Sequence, residues 1–323
     1  MYKKKKIYVA PMMQYTDKHD RYFLRLISKN VILFTEMIPT NTIIHGDKDR
    51  YLQYNKNEHP IILQLGGSNA DDMAICAEIA EKKYKYDGVN INVGCPSKKV
   101  VNGMFGASLM NEPELVSRCI KKIKKKTNLP VSVKCRIGLG KIQNYNFLKN
   151  FVKIISKNGC KLFFIHARNA ILDGLNPKKN RSIPPLNYSY VYRLKKDFPD
   201  LEIILNGGID NINSIKKHLK IVDGVMIGRE IYKNPFFLKD IENEIFKNKT
   251  QTTRKKILEK LIPYIENETK TKNISIQCIT RHTFGLFTGI KGSKKWKQYL
   301  NKIKFMKGDI KNIILNGIEN INE

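Results

Sequence analysis

The chain has 323 residues, of which 41% are hydrophobic, and this length and composition suit a globular protein with a sizeable core rather than a disordered tail. Lys and Arg number 59 against 29 Asp and Glu, which gives a formal net charge of +30 at pH 7. Such a field attracts a polyanion, and nucleic acid is the commonest large one. An AT-rich genome would also enrich Lys, Asn and Ile, because their codons are rich in A and T, so the charge alone does not identify RNA.

The cysteines and the hydrophobic runs exclude several classes of protein. No CxxC pair occurs, which argues against a zinc knuckle and against a disulfide-stapled secreted fold, and a reducing cytoplasm is the simplest setting. The basic N-terminal stretch has too few apolar residues before Pro11 for a signal peptide. No run of about 18 apolar residues occurs, so no membrane span is expected. The six cysteines are Cys76, Cys95, Cys119, Cys135, Cys160 and Cys278.

Short β-rich runs recur along the chain, with amphipathic helix-like segments such as DDMAICAEIAEKKY and EPELVSRCIKKIKKKT between them. The runs are KIYVAPM (6–12), VILFTEM (31–37), PIILQLGG (60–67), GVNINVG (88–94), LPVSVKCRIG (129–138), KLFFIHAR (161–168), LEIILNGG (201–208) and VDGVMIGR (222–229). Eight strands alternating with helices predict a (β/α)₈ TIM barrel. The rival, a doubly wound open sheet, would lead us to look for a GxGxxG turn after an early strand, and none is present.

The pattern changes after Arg229. NPFFLKDIENEIF, TTRKKILEKLIPYIENETK and LNKIKFMKGDIKNIILNGI are helix-like, and no clear strand follows. We therefore predict a barrel domain over residues 1–238 and a small, basic, all-helical domain over residues 239–323.

Polar and charged residues cluster at the ends of the predicted strands, where the side chains and loops of a TIM barrel converge on one site. Because residues i and i+2 share a face of a strand, Lys134 pairs with Arg136, and His166 with Arg168. Asn90 pairs with Asn92 in the same way. A lone Lys or Arg at a strand end is usually solvated, but three such pairs on different strands indicate one site for an electron-rich, anionic ligand.

Glycines follow strands 7 and 8, in NGGI and IGRE. They let backbone amides approach a phosphate, and the loops after these strands are the habitual phosphate site of the barrel. With Arg229 available for charge-assisted contacts, they suggest a ligand with a terminal phosphate. The alternative is an ordinary left-handed turn at Gly207 and Gly208.

Cys95 lies just past the end of strand 4 and before a proline. A free cysteine has a pKa of about 8.5, so a proton donor, a nucleophile and an inert apolar filler all remain open. The loop position favours a functional role over the filler role that suits the cysteines inside predicted helices and strands. His166 lacks a spaced partner such as HExxH, so no metal site is expected.

Several motifs resemble the tRNA-dihydrouridine synthase family, and more narrowly its bacterial DusA-type branch. They are APMMQYTDKHDRYFLRL, LQLGGS, VNINVGCPSKKVVNGMFGASLM, VSVKCRIG, FIHARNAILDGLNPKKNRSIPPL and ILNGGI…VDGVMIGREIYKNP. The match runs over residues 7–237, and RHTFGLFTGIKGSKKWKQYL (281–300) resembles the C-terminal helical domain of the branch.

The resemblance implies a barrel that holds FMN, a helical tRNA-binding domain and the NADPH-dependent reduction of the 5,6 double bond of D-loop uridines around tRNA position 20. It makes Cys95 the catalytic acid, which protonates C5 after the reduced flavin gives hydride to C6. The implied FMN-binding residues are Pro11, Met12 and Met13 along the flavin, Gln64 on its ring, Lys134 and His166 at its N1 and C2 carbonyl edge, and Asn206, Gly207, Gly208, Gly228 and Arg229 at the phosphate.

The predicted substrate and tRNA contacts are Asn92, Arg136, Arg168, Lys178, Arg181, Lys294 and Lys297, whereas Lys98 and Lys99 could be solvated charges beside the RNA path. The chain departs from the branch at Gln14, Tyr15 and Asp20, where Asp, Trp and Cys are usual, and in LGKIQNYN after strand 5. The rival functions are an FMN barrel that reduces a small molecule, such as a dihydroorotate or enoate reductase, and a tRNA-binding protein with a catalytically silent barrel. A monomer is expected, since tRNA must reach the barrel mouth.

Overall fold

The structure is a computed structural model that describes residues 6–97, 100, 103–319 and 321. Lys98 and Lys99 lie outside these residues. The chain forms two compact units. The first contains the chain up to Met13 and Ile32–Gly228, and the second contains Gln14–Val31 and the chain from Arg229 onward. These units are defined by packing, and the functional division between residues 238 and 239 stays a prediction.

Eight parallel strands form the first unit, and each coincides with one of the eight predicted runs. They are β1 (Lys6–Val9), β2 (Leu33–Pro39), β3 (Ile61–Gly66), β4 (Gly88–Val93), β5 (Val131–Arg136), β6 (Leu162–His166), β7 (Glu202–Asn206) and β8 (Gly224–Ile227). Neighbours in sequence are paired from β2 through β8, and β8 pairs with β1.

The sheet closes between β1 and the residue that precedes β2. The Val9 backbone N–H donates to the Ile32 carbonyl at 2.9 Å, and the Ile32 N–H donates to the Ile7 carbonyl at 2.9 Å. Closure leaves no open edge, so the predicted TIM barrel is confirmed and the open doubly wound sheet is excluded.

The described residues form fourteen α-helices. They are α1 (Lys18–Ile27), α2 (Thr40–His45), α3 (Lys48–Leu52), α4 (Ala70–Lys82), α5 (Pro113–Lys126), α6 (Tyr145–Lys157), α7 (Tyr188–Asp197), α8 (Ile212–His218), α9 (Arg229–Lys233), α10 (Phe237–Glu244), α11 (Arg254–Lys272), α12 (Ile276–Thr280), α13 (Ser293–Lys302) and α14 (Ile310–Asn316). Short 3₁₀ turns lie at Lys56–Glu58, Gly106–Asn111, Lys179–Arg181, Arg281–Thr283 and Ile303–Phe305.

Local sequence explains where the barrel helices begin. The Asn69 side chain caps α4 by accepting the N–H groups of Asp71 and Asp72, which no carbonyl inside the helix can accept. Helix α5 begins with a proline, whose missing N–H costs nothing in the first turn. In α5 the buried Val116, Ile120 and Ile123 recur at helical spacing, so the apolar face packs on the barrel.

An apolar cluster fills the barrel interior, and its members come from alternate positions of the strands. Tyr8, Phe34 and Phe164 meet edge to face, with ring centroids 4.8–6.2 Å apart. The whole cluster contains Tyr8, Ala10, Phe34, Ile62, Phe164, Ile204 and Met226. It fills the barrel below the carboxyl ends of the strands, which are the end where this fold places its sites.

Helix α1 packs inside the second unit rather than in the barrel, against α10, α11 and α12. The Tyr22 ring stacks on the Tyr264 ring at 3.9 Å between centroids, and His19 Nδ1 shares a hydrogen bond of 2.8 Å with the Tyr264 hydroxyl. Lys18 Nζ lies 2.8 Å from Glu268 Oε2. No strand occurs in the part of this unit that the structure describes.

Neither a helix suited to crossing a membrane nor a metal-binding cluster occurs among the described residues. None of the helices combines the length and the apolar character that crossing a membrane requires. Likewise, no group of three or more His, Cys, Asp or Glu side chains is arranged to hold a metal ion.

Candidate active site

A layer of polar side chains lies above the apolar cluster. On three strands a polar residue follows an apolar cluster member by two positions toward the carboxyl end. Ile62 precedes Gln64, Phe164 precedes His166, and Ile204 precedes Asn206. Since side chains two positions apart share a face of a strand, Gln64, His166 and Asn206 face the same end of the barrel interior. The prediction that these polar strand ends surround one ligand site stays a prediction.

A chain of buried amides crosses the layer from β4 to β3 and back. The Cys95 backbone N–H donates to Asn92 Oδ1 at 3.0 Å, and Asn92 Nδ2 donates to Gln64 Oε1 at 2.8 Å. Gln64 Nε2 donates to Asn90 Oδ1 at 2.8 Å, and Asn90 Nδ2 donates to Ser132 Oγ at 2.9 Å. Every link points in the same direction, so this amide chain fixes the orientation of each side-chain amide.

Cys95 lies on the loop after β4, and its side chain is half-buried. Its carbonyl accepts the Ala107 N–H at 2.9 Å, so the loop is held from both sides of the peptide. Gly106 adopts a φ of +73°, and a Cβ there would lie 2.7 Å from the Cys95 carbonyl oxygen. The FGASLM motif therefore needs its glycine, because the Cys95 loop passes too close for any side chain.

Lys134 follows Ser132 on the inner face of β5, and it pairs in register with Asn92. Its side chain is half-buried, and no hydrogen bond or ion pair joins it to any other residue that the structure describes. Burial lowers the pKa of Lys134 to about 8, and the nearby Arg136 cation lowers it further. An anionic group placed here would stabilise this cation.

Arg136 is 3% exposed and bonds to three backbone carbonyls. Its Nε donates to Gly94 at 3.1 Å, and its NH1 donates to Asn169 and Asn180 at 3.0 and 2.9 Å. Burial lowers the pKa of its guanidinium to about 10. Arg136 thus ties the Cys95 loop to the loop after β6, and its substrate contact stays a prediction.

The loop after β6 carries three of the other predicted RNA contacts. Arg168 donates to the carbonyls of Ser182 and Pro184, while Lys178 is exposed. Arg181 is half-buried. Burial is the largest cause of the lowered pKa of Arg136, and the charges of Arg181 and Arg168 lower it further. Arg168 and Arg181 therefore lie close enough to Arg136 to act on its charge.

The ends of β7 and β8 are joined by a side-chain hydrogen bond and followed by glycines, and their predicted role in holding a phosphate stays a prediction. Asn206 Nδ2 donates to the Met226 carbonyl at 2.7 Å, which joins the two strand ends. Gly207 and Gly208 have φ values of +116° and +69°. A Cβ at Gly207 would lie 2.8 Å from the His166 ring, so only glycine lets the imidazole approach this turn.

The end of β1 reaches the same side of the barrel. Pro11 and Met12 are half-buried, and Met13 is exposed. A Cβ at Gly228 would lie 3.7 Å from the Met12 sulfur, so the ends of β1 and β8 are adjacent.

Three predicted residues belong to the second unit. Arg229 is exposed and begins α9, and Lys294 and Lys297 are exposed on α13. Their phosphate and tRNA contacts stay predictions.

Sequence reasoning missed Ser132 and Asn169. Ser132 ends the amide chain, and Asn169 anchors the loop after β5. The alternation that selected Lys134 and Arg136 would have found Ser132, which lies on the same face of β5. Nothing in the spacing indicates Asn169, because its partners lie 27–29 residues away in sequence.

Similarity to known proteins identifies the family of this chain. The model of the dihydrouridine synthase (Dus) family matches residues 8–321. The chain belongs to the dihydrouridine synthase family. It is 49% identical over 296 residues to the tRNA-dihydrouridine(20/20a) synthase of Escherichia coli strain K12, a match that covers 91% of this chain and 85% of the relative. The enzyme of the same name from Vibrio vulnificus is 48% identical, with 91% and 90% covered.

Solved structures support the fold alone. The chain resembles a complex of 2-naphthoyl-CoA reductase with a TM-score of 0.56 at 10% identity, covering 73% of this chain and 49% of that one. It resembles morphinone reductase in complex with tetrahydroNAD with a TM-score of 0.51 at 12% identity, covering 75% and 87%.

Proposed function

We propose that this protein is a tRNA-dihydrouridine synthase that reduces the 5,6 double bond of D-loop uridines around tRNA position 20. It uses NADPH as the reductant and FMN as the cofactor, and it acts as a cytoplasmic monomer. The observation that carries the proposal is the pairing of a fixed Cys95 loop on β4 with a partly buried cation, Lys134, on the adjacent strand. Family membership and the named relatives support the same reaction.

The residues present fit a flavin phosphate cofactor. Lys134 lacks an acidic partner among the described residues, and Gly207 and Gly208 add no side chain of their own to the turn after β7, on which His166, Leu186 and Tyr188 pack. Lys134 and His166 would hold the anionic edge of the ring, Gln64 would hydrogen-bond the ring, and Pro11, Met12 and Met13 would lie along it. Asn206, Gly207, Gly208 and Gly228 would hold the phosphate. When bound, this cofactor supplies hydride from NADPH to C6 of the uracil.

Each residue of the chain has a physical task in the reaction. Hydride addition at C6 gives C5 and O4 enolate character, and the Cys95 thiol donates the proton that C5 takes up. Asn92 orients the Cys95 loop because its Oδ1 accepts the Cys95 backbone N–H. The Lys134 cation stabilises negative charge where it develops in the site. The uridine must leave its stack to reach the polar layer, so the enzyme binds folded tRNA and extrudes the base.

The net charge of +30 supports a polyanionic substrate, and the exposed Lys178, Lys294 and Lys297 are the proposed phosphate contacts. Such binding weakens steeply with salt, because each neutralised phosphate releases counterions. A tRNA dissociation constant that is flat between low and physiological salt would contradict this assignment.

NADPH oxidation by the purified, FMN-loaded protein separates this function from its rivals. We expect unmodified tRNA to accelerate the oxidation, whereas dihydroorotate-type and enoate substrates leave it unchanged. Acceleration by a small enoate alone would favour the small-molecule reductase, and protein that takes up no FMN and binds tRNA would favour a catalytically silent barrel.

A further inference from the structure

Three large apolar side chains are exposed on loops that follow consecutive strands of the barrel. Met104 follows β4, Ile142 follows β5 and Ile183 follows β6, with exposed fractions of 71%, 84% and 56%. No other large apolar side chain among the described residues of the first unit is as exposed as these. A single exposed apolar residue is ordinary, but all three of these lie at the carboxyl end of the barrel, where the proposed site is. We call them the apolar rim.

Ile142, the most exposed member, is displayed by a loop whose backbone is fixed. The buried Asn169 donates from Nδ2 to the carbonyls of Gly140 and Ile142 at 3.0 and 2.9 Å. On the other side, Asn187 Nδ2 donates to Gln143 Oε1 at 2.6 Å. The loop is therefore held by hydrogen bonds, and the isoleucine side chain takes no part in the core.

Cations lie on the same loops as Ile142 and Ile183. Lys141 precedes Ile142 and is exposed, and the exposed Lys178 and half-buried Arg181 lie on the loop after β6. Arg136 joins that loop to the end of β5 through the Asn180 carbonyl. An apolar tip among cations matches nucleic acid, whose phosphates bind the cations while its base faces contact the apolar groups.

We propose that Ile142 is a wedge that contacts the D-loop bases flanking the extruded uridine and occupies the place that the uridine leaves. Extrusion exposes apolar base faces to water, and an aliphatic side chain that covers them lowers the cost of the extruded state. This inference rests on the proposed function, since only a base-extruding reaction creates the gap. Ile142 is thus a positioning residue, which acts through the conformation of the tRNA.

The test compares Ile142→Ala with Ile142→Leu and with Ile221→Ala. Ile221 is also exposed, at 43%, but it precedes β8 and so lies at the opposite end of the barrel. Two quantities are measured on tRNA with 2-aminopurine beside the reduced uridine: kcat/KM for uridine reduction, and the fluorescence rise on binding, which reports loss of stacking. We expect Ile142→Ala to lower kcat/KM about tenfold and to reduce the fluorescence rise, while the other two variants stay near wild type.

The outcomes separate failure of the wedge from failure of the proposed function. Wild-type protein that leaves the tRNA unreduced would overturn the proposed function and the wedge together. Active wild type with Ile142→Ala equal to Ile221→Ala in both quantities would overturn the wedge alone. If Ile142→Ala reduces tRNA as the wild type does but has a different molecular mass by light scattering, Ile142 belongs to a protein contact and the wedge is overturned. Because Ile142 is exposed, we expect its variants to keep the melting temperature of the wild type.

Discussion

Asn92 accepts the backbone N–H of Cys95 at 3.0 Å, and it makes this contact as part of a buried amide chain. The loop that carries the proposed acid is therefore oriented by hydrogen bonds that begin at Ser132, two strands away from Gln64. Ser132 Oγ itself donates to the Val89 carbonyl at 3.3 Å, which sets the direction of the whole chain. The position of Cys95 thus depends on Asn90 and Ser132, which do not contact the Cys95 loop through this chain directly.

Removing the end of the amide chain tests this dependence. Ser132→Ala leaves Asn90 Nδ2 without its acceptor, so we expect a loss of about 1–3 kcal/mol in the free energy of unfolding and a lower kcat for uridine reduction. Ser117→Ala is the matched control, because Ser117 is equally buried and its hydroxyl has no hydrogen-bond partner among the described residues. Equal unfolding and turnover for the two variants would contradict the account.

Replacing the thiol tests the acid directly. We expect Cys95→Ala to bind FMN and tRNA as the wild type does and to lose about 10²–10⁴-fold in kcat, the usual contribution of a general acid. Rapid-mixing absorbance at the flavin band measures reduction of FMN by NADPH, and the mass of the tRNA measures reduction of the uridine. Cys278→Ala, which removes an exposed free cysteine, is the control. Near-normal turnover of Cys95→Ala would remove the assignment.

The lowered pKa of Lys134 predicts how FMN affinity changes with pH. Burial lowers the pKa to about 8, so the cation is largely present at pH 7 and is lost as the pH rises through 8. If the bound cofactor needs the charged form, its affinity falls above pH 8 by up to about tenfold per pH unit. Quenching of FMN fluorescence measures this affinity.

The control for this pH dependence is a pair of lysine variants. We expect Lys134→Met to bind FMN weakly, with an affinity that does not fall between pH 7 and 9. Lys121→Met, at an exposed position on α5, is expected to keep the fall in FMN affinity. The same pH profile in both variants would show that another group titrates.

In the second unit, Asp17 links α1 to a turn near the end of the chain. Its carboxylate caps α1 by accepting the His19 and Asp20 N–H groups, and it bonds to the side chains of Arg281 and His282. Burial pushes the pKa of Asp17 up, but the contact with His282, the Asp20 N–H and the nearby His19 together outweigh burial and hold the pKa below the usual range. The stabilisation is therefore present above about pH 4 and is lost as the pH falls.

Asp17→Asn retains an oxygen for the cap and removes the charge. We expect the free energy of unfolding to fall by about 1–3 kcal/mol at pH 7 and the difference from wild type to shrink toward pH 3. Guanidinium unfolding at both values measures it, with Asp173→Asn at an exposed position as the control. A difference that does not depend on pH would show that the charge of Asp17 is not its cause.

The barrel could be predicted from sequence because its strands are short apolar runs whose period and order are local properties. Cys95 and Lys134 stood out because polar residues end those runs. The packing of α1 in the second unit could not be predicted, since Lys18 meets Glu268 and Asp17 meets His282 across about 250 residues. The bonds of Arg136 to backbone carbonyls were equally hidden, because alternation shows which face a side chain lies on but not what it touches there.

The central claim is that this chain reduces uridine in tRNA with Cys95 as the acid, and mass spectrometry of tRNA treated with the FMN-loaded protein and NADPH tests it most directly. We predict a gain of two hydrogens that maps to D-loop uridines around position 20 with wild-type protein and that is almost absent with Cys95→Ala. Unchanged tRNA mass with flavin-loaded wild-type protein would contradict the account.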